Sequence, residues 1–100
     1  MPADRNLLAL AHTSESINRI DFGPLEEAAS REMGFLWSPA LFLRGSAIVG
    51  CSVAAAHEAL TSGRGVVLGG GAHHAFSDRG RGYCIFNDIA VVARKLLLEG

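Results

Sequence analysis

Charge is sparse in this sequence: nine lysines and arginines stand against ten aspartates and glutamates in 100 residues, a formal net charge of −1. That balance excludes the basic stripe that a nucleic-acid or anionic-membrane surface requires. Cysteine is scarce as well. Cys51 and Cys84 are the two present, and no CxxC occurs. They cannot form a disulfide framework, and a reduced cytoplasmic setting is the expectation. The opening MPADRNLLALAHTSES has neither a basic n-region nor a long apolar stretch, so it does not read as a signal peptide. The most apolar run, between Arg44 and His57, is 12 residues long, which is short for a bilayer core, so no membrane partner is expected. Strand-forming runs are the scarcest of all.

What the sequence does have is apolar surface. Hydrophobic residues make up 49% and the mean hydropathy is +0.25, with only 19% charged. A chain this short makes one domain at most, with a thin core. It has few polar groups with which to cover itself, so it exposes apolar surface or pairs with something.

Along the chain, Asp4 reads as the cap of a short helix through His12, with Leu7, Leu8 and Leu10 on its apolar side. Thr13 to Asp21 is polar and reads as loop. Pro24 opens a second helix with Glu26 and Glu27 in its first turn, and Gly34 stops it. Phe35-Leu36-Trp37 is an apolar link. Ser38-Pro39 signals a long helix from Pro39 to Thr61 with Gly63 beyond its end, weakened at Gly45 and Gly50, where a break near Arg44 to Ser46 is open. It is apolar nearly all round, which predicts burial on several sides and places Cys51 in the core. Gly65-Val66-Val67-Leu68 reads as a buried strand ended by Gly69-Gly70-Gly71. Residues 72 to 86 read as loop, expected to be the most mobile part. Asn87 to Leu98 reads as a final helix with Ile89, Val92, Ala93 and Leu96 at helical spacing. One strand cannot make a stable sheet, so other strands are missed, or supplied by another chain, or belong to a larger α/β fold.

The stretch GGGAHHAFSDRGRGYCIFND carries the chemistry. A glycine run after a buried strand allows close backbone approach, and ligands in open α/β sheets bind beyond the carboxyl ends of the strands. His73 and His74 would then sit where an active site belongs. Two adjacent imidazoles resist being protonated together, which suits one neutral base beside one acid. The same pair also fits a plain loop or a structural hydrogen-bond donor. Cys84 fits a thiol nucleophile or a small buried apolar residue. Arg79 and Arg81 face only Asp78 in sequence. Adjacent residues in a loop seldom ligate one ion, and no zinc-type spacing is present. No GK[ST] closes the glycine run as a phosphate loop. His12 and His57 read as incidental.

Taken together, GGGAHHAFSDRGRGYCIFNDIAVVARKLL resembles the histone deacetylase superfamily, in its bacterial deacetylase-like branch. The upstream FLWSPALFLRGSAIVGCSVAAAHEALTSG is similar to the helix that precedes that motif, and the likeness is weakest before about residue 20. The resemblance implies a mostly helical portion of a three-layer α/β/α arginase/deacetylase-like fold, class α/β, with one or two short strands, Val66–Leu68 the surest. It implies that His73 and His74 are the general base and general acid pair. Gly82 and Tyr83 would line an acyl-lysine tunnel and Cys84 would sit beside the active-site floor, while Asn87 and Asp88 would be structural. The family uses zinc. Its ligands, in an Asp-x-Asp-x-His-type motif and a later Asp, have no counterpart in this sequence, so the expectation is no metal site and no cofactor in this chain. The carboxylates that orient the histidines and the transition-state tyrosine have no counterpart either. Residues 1–100 are thus expected to be one partial domain, lacking the first strand and everything from the zinc-binding strand onward.

Three functions follow as expectations. The chain is inactive alone and self-associates through an exposed strand edge and apolar helices. Alternatively, it is an active zinc deacetylase for acetyl-lysine or acetyl-polyamine when a second chain supplies the metal motif. A third alternative is a non-catalytic module that binds a small ligand.

Overall fold

A computed structural model describes residues 2–100. Five helices occur in order: α1 (Arg5–Leu8), α2 (Ser14–Phe22), α3 (Glu27–Met33), α4 (Ala40–Ser62) and α5 (Asp88–Glu99). The long α4 is the spine. It packs most extensively on α5 and more lightly on α2, while α1 touches α5.

Asp4 caps α1 by accepting the Leu7 N–H at 2.8 Å. The helix ends at Leu8 rather than His12, and residues 9–12 continue as tight turns, with Leu10 N–H on the Leu7 carbonyl and Ala11 N–H on that of Leu8. That turn swings His12 into the interior, where it is 5% exposed.

The segment expected as loop, Thr13 to Asp21, is instead the core of α2. Thr13 is its N-cap, accepting from the Ser16 N–H at 3.1 Å, with Glu15 in the first turn and Arg19 in the last. Ile17 and Ile20, three residues apart, form its buried edge, so two apolar residues at helical spacing outweigh the polar content of the segment. Helix α3 begins at Glu27 with Glu26 as cap, leaving Pro24 outside it, and ends at Gly34 in the left-handed region.

Helix α4 runs unbroken through Gly45 and Gly50 and ends at left-handed Gly63. Gly45 serves packing: a Cβ there would lie 2.8 Å from the Phe86 ring and 2.9 Å from Ile85. The expectation of burial on several sides is corrected. Leu41, Gly45, Ser46, Val49, Gly50 and Ser52 make one buried stripe, whereas Leu43 and Leu60 are exposed, and so is Cys51, which therefore is not core. The helix has 23 residues with mean hydropathy 1.4 in its most apolar window, long and apolar enough to cross a bilayer by length and composition alone. The 12-residue run understated it because the helix continues through Arg44 and His57. Here its buried stripe packs on α5 and α2.

The strand expected at Val66–Leu68 is absent, and no strand occurs among the described residues. Val66 and Leu68 are 85% and 92% exposed. A strand needs a neighbour to take its backbone N–H and C=O groups, and none is adjacent here. Among the described residues the one β-type pairing is an isolated antiparallel bridge between Arg81 and Cys84. The described residues are therefore helices and loops, and the one or two short strands expected are not among them. Val91, fully buried, leads the inner face of α5, and Ile89, expected on that face, is exposed. His57 is not incidental: its Nε2 meets the Glu99 carboxylate at 2.7 Å and ties α4 to the end of α5.

Candidate functional site: the tandem-histidine loop

Residues 72–86 hold no regular element, as expected, yet polar contacts from four directions fix the loop. Its entrance is set by Asp88 at the start of α5. This carboxylate is 2% exposed. It accepts the Gly71 N–H at 3.0 Å, the Ala72 N–H at 2.7 Å and the Ser52 hydroxyl of α4. Burial alone would raise its pKa. Hydrogen bonds from Ser52 and from the Gly71, Ala72 and Ile89 amides outweigh that and hold it below the ordinary 3.8. Gly70 lets the chain pass close: a Cβ there would lie 2.9 Å from both Asp88 Oδ2 and Ser52 Oγ.

Asn87 works beside it. Its Oδ1 caps α5 by accepting the Ala90 N–H at 2.9 Å, while its Nδ2 donates to the carbonyls of Ala75 at 3.1 Å and His73 at 3.5 Å. Its backbone N–H donates to Nε2 of buried His12 at 3.0 Å. Burial pushes the His12 pKa below 6.5, against a smaller opposing pull from the carbonyls of Ser77 and Phe76. Further along, Thr13 N–H donates to the Ser77 carbonyl at 2.9 Å and Arg19 donates to that of Asp78 at 2.8 Å.

This scaffold presents His73 and His74 to solvent with ring centroids 4.1 Å apart and planes tilted 43°. Nδ1–H of His73 donates to the Gly71 carbonyl at 2.9 Å, which leaves its Nε2 lone pair free to accept a proton. The His74 ring rests on Gly82, where a Cβ would come within 3.3 Å of it. The two histidines, Ala75, Phe76, Arg81 and Gly82 line an open cleft of about 450 Å³. The Arg79 guanidinium stacks over Phe76 at 4.2 Å and pairs with Glu32 as well as Asp78, a partner the loop sequence alone does not contain.

Tyr83 and Cys84 fall elsewhere. They line a second cleft of about 300 Å³ with Arg44, Ile48 and Gly69 to Ala72, and Gly82 borders both clefts. Tyr83 has a positive φ of 64° and its N–H bonds the Met33 carbonyl at 2.7 Å. Its ring packs on Gly34 and, edge-on, against Phe35. Cys84 is buried, with its thiol 3.6 Å from the Gly82 carbonyl. So the structure brings His73, His74 and Gly82 together and sets Tyr83 and Cys84 in a neighbouring cleft beside the glycine run.

Among the described residues, no group of three His, Cys, Asp or Glu side chains converges in a way that could hold a metal ion. Asp88 is fully engaged by backbone amides and Ser52, and His73 Nδ1 by a backbone carbonyl. The donor set does not fit a zinc site, which needs three or four converging ligands. Sequence reading missed His12 and Ser52. The signal for His12 was a lone imidazole closing an apolar Leu-rich turn; Ser52 had none.

Comparison with known proteins shows the family. The family model described as histone deacetylase domain matches residues 1–100, and the chain belongs to that family. An uncharacterised protein of Picosynechococcus is 35% identical over 97 residues, covering 97% of this chain and 32% of its own length. The acetoin utilization protein AcuC of Bacillus subtilis is 34% identical over 100 residues, covering 89% of this chain and 26% of its own length. The crystal structure of a histone deacetylase homologue from Aquifex aeolicus superimposes with TM-score 0.83 at 30% identity, over 100% of this chain and 29% of that one. A homologue complexed with SAHA superimposes at 0.81, with the same identity and coverage. The chain thus spans about a third or less of the proteins it matches. Its fold is a mostly helical portion of the deacetylase fold.

Proposed function

We propose that this chain carries the proton-handling half of a zinc-dependent amide hydrolase and does not hydrolyse amides by itself. The observation that supports this is the His73–His74 pair: one imidazole held by the Gly71 carbonyl with its Nε2 free, the second ring 4.1 Å away. In this reading His73 accepts a proton and His74 donates one, as a base and acid so close together divide the work. Gly82, which borders the histidine cleft, lies on the path of an acetyl-lysine or acetyl-polyamine chain, while Tyr83 and Cys84 line the neighbouring cleft and reach that path only if the two clefts join at Gly82 in the complete domain.

The family's metal supplies Lewis-acid chemistry, and the donors here do not fit it. No step on this chain alone passes through zinc. In the complete three-layer α/β/α arrangement, metal donors come from polypeptide other than residues 2–100, and a second chain that supplied them would restore hydrolysis. The protein works in the cytoplasm, in keeping with its two free cysteines. It self-associates through exposed apolar side chains such as Val66 and Leu68.

Zinc retention tests the reading. After dialysis against zinc, the purified chain is expected to keep well under one ion per chain, the same as a His73→Ala/His74→Ala variant. A full equivalent of zinc, lost in that variant, would overturn it.

A further inference from the structure

We propose that His12 is a positioning residue for the tandem-histidine loop, acting through Asn87 as a neutral hydrogen-bond acceptor. The proposal deepens the reading of His73 as a proton-handling group, but the clamp itself is independent of that reading.

His12 is buried to 5% exposure at the turn between α1 and α2. Its Nε2 accepts the backbone N–H of Asn87 at 3.0 Å, across 75 residues of sequence. The same asparagine turns its side chain the other way and holds the carbonyls of Ala75 and His73. One imidazole thus fixes the backbone of the residue that fixes the histidine loop. The adjacent Thr13 N–H grips the Ser77 carbonyl at 2.9 Å, so the α1–α2 turn holds the loop at a second point.

Accepting at Nε2 requires a lone pair there, which leaves the proton on Nδ1 and the ring neutral. Nδ1 is buried beside the carbonyls of Ser77 and Phe76 but completes a well-formed hydrogen bond to neither. An unpartnered polar atom in that position costs free energy. A side chain present only to fill space would be an apolar ring of the same size, since the one neighbouring aromatic contact, edge-on to Phe86 at 5.2 Å, needs no nitrogen. The acceptor is what the position requires.

The test compares His12→Phe, which keeps the ring and loses the acceptor, with His12→Gln, whose side-chain oxygen can replace Nε2. Amide hydrogen exchange is read at Asn87 and His73 and referenced to Val49 in α4, which reports overall stability. In H12F the two loop amides are expected to exchange about tenfold faster relative to Val49, the scale of one lost buried hydrogen bond, and in H12Q most of the protection is expected to return. Unchanged exchange in H12F, or equal loss in both variants, would overturn the proposal.

Should neither variant fold, the nitrogen-15 spectrum of the unmodified chain decides. The Nδ1–H tautomer of His12 supports the clamp, and the Nε2–H tautomer refutes it. If the clamp is found but His73 has no role in chemistry, only the functional reading fails.

Discussion

Val66 and Leu68 are 85% and 92% exposed, whereas the carboxylate of Asp88, which anchors the next stretch of chain, is 2% exposed. By hydropathy the order should be reversed. Val66 and Leu68 stay outside because burying them in a strand requires a partner for every backbone N–H and C=O, and none of the five helices described offers an edge. The carboxylate goes inside because Ser52 and two amides complete its hydrogen bonds on arrival. In this corner of the molecule, satisfied polar contacts order the chain, and apolar character alone does not.

The comparison breaks most sharply at Asp88. Asp88→Ala leaves the Ser52 hydroxyl and the Gly71 and Ala72 amides unpaired, and we expect a loss of about 3 kcal/mol in denaturant unfolding. A loss within about 0.5 kcal/mol, the range of an ordinary surface change, would mean that the loop is not held there.

Acid sharpens it next. The His12 pKa is lowered from 6.5, so only the unfolded chain takes up that proton at first. Its contribution is complete above pH 6.5 and shrinks as pH falls below that value. The Asp88 pKa is lowered from 3.8, so its contribution is complete above that pH and is lost as pH falls through the folded-state pKa. Melting temperature against pH should therefore fall in two stages, and the His12→Gln variant should lack the upper one. A profile rising on acidification from neutrality would contradict the His12 assignment, and one that stays flat below pH 3.8 would contradict that of Asp88.

Gly70→Ala is the gentler probe, since its Cβ would crowd Asp88 and Ser52 at 2.9 Å. We expect about 1–2 kcal/mol of destabilisation. The smallest effect belongs to the exposed side of the comparison. Val66→Thr with Leu68→Ser should change stability by no more than about 0.5 kcal/mol while reducing the proposed self-association in analytical ultracentrifugation. A large stability loss would show that the segment is packed after all.

Local chemistry made much of this readable in advance. Asp4, Gly34, Gly63 and Asn87 mark helix ends by capping and left-handed backbone, and all four lie at or within a residue of observed boundaries. The tandem histidines and their glycine-rich approach were legible as a candidate site because the residue types and order are distinctive. What was not legible depends on contacts distant in sequence. The α2 helix rests on Ile17 and Ile20 finding the core, and Val66–Leu68 has strand composition without a strand neighbour. His12 looks idle until the chain brings Asn87 to it. The separation of Tyr83 and Cys84 from the histidine cleft likewise follows from the turn at Gly82, which faces both clefts.

The most direct test of the central claim is hydrolysis of an acetyl-lysine peptide by the purified chain with added zinc, beside the His73→Ala/His74→Ala variant. The account predicts no turnover above the variant, because a proton-handling pair without converging metal donors has no activated water to serve. Turnover that disappears in the variant would show that the chain assembles a complete hydrolytic site, and would contradict the account.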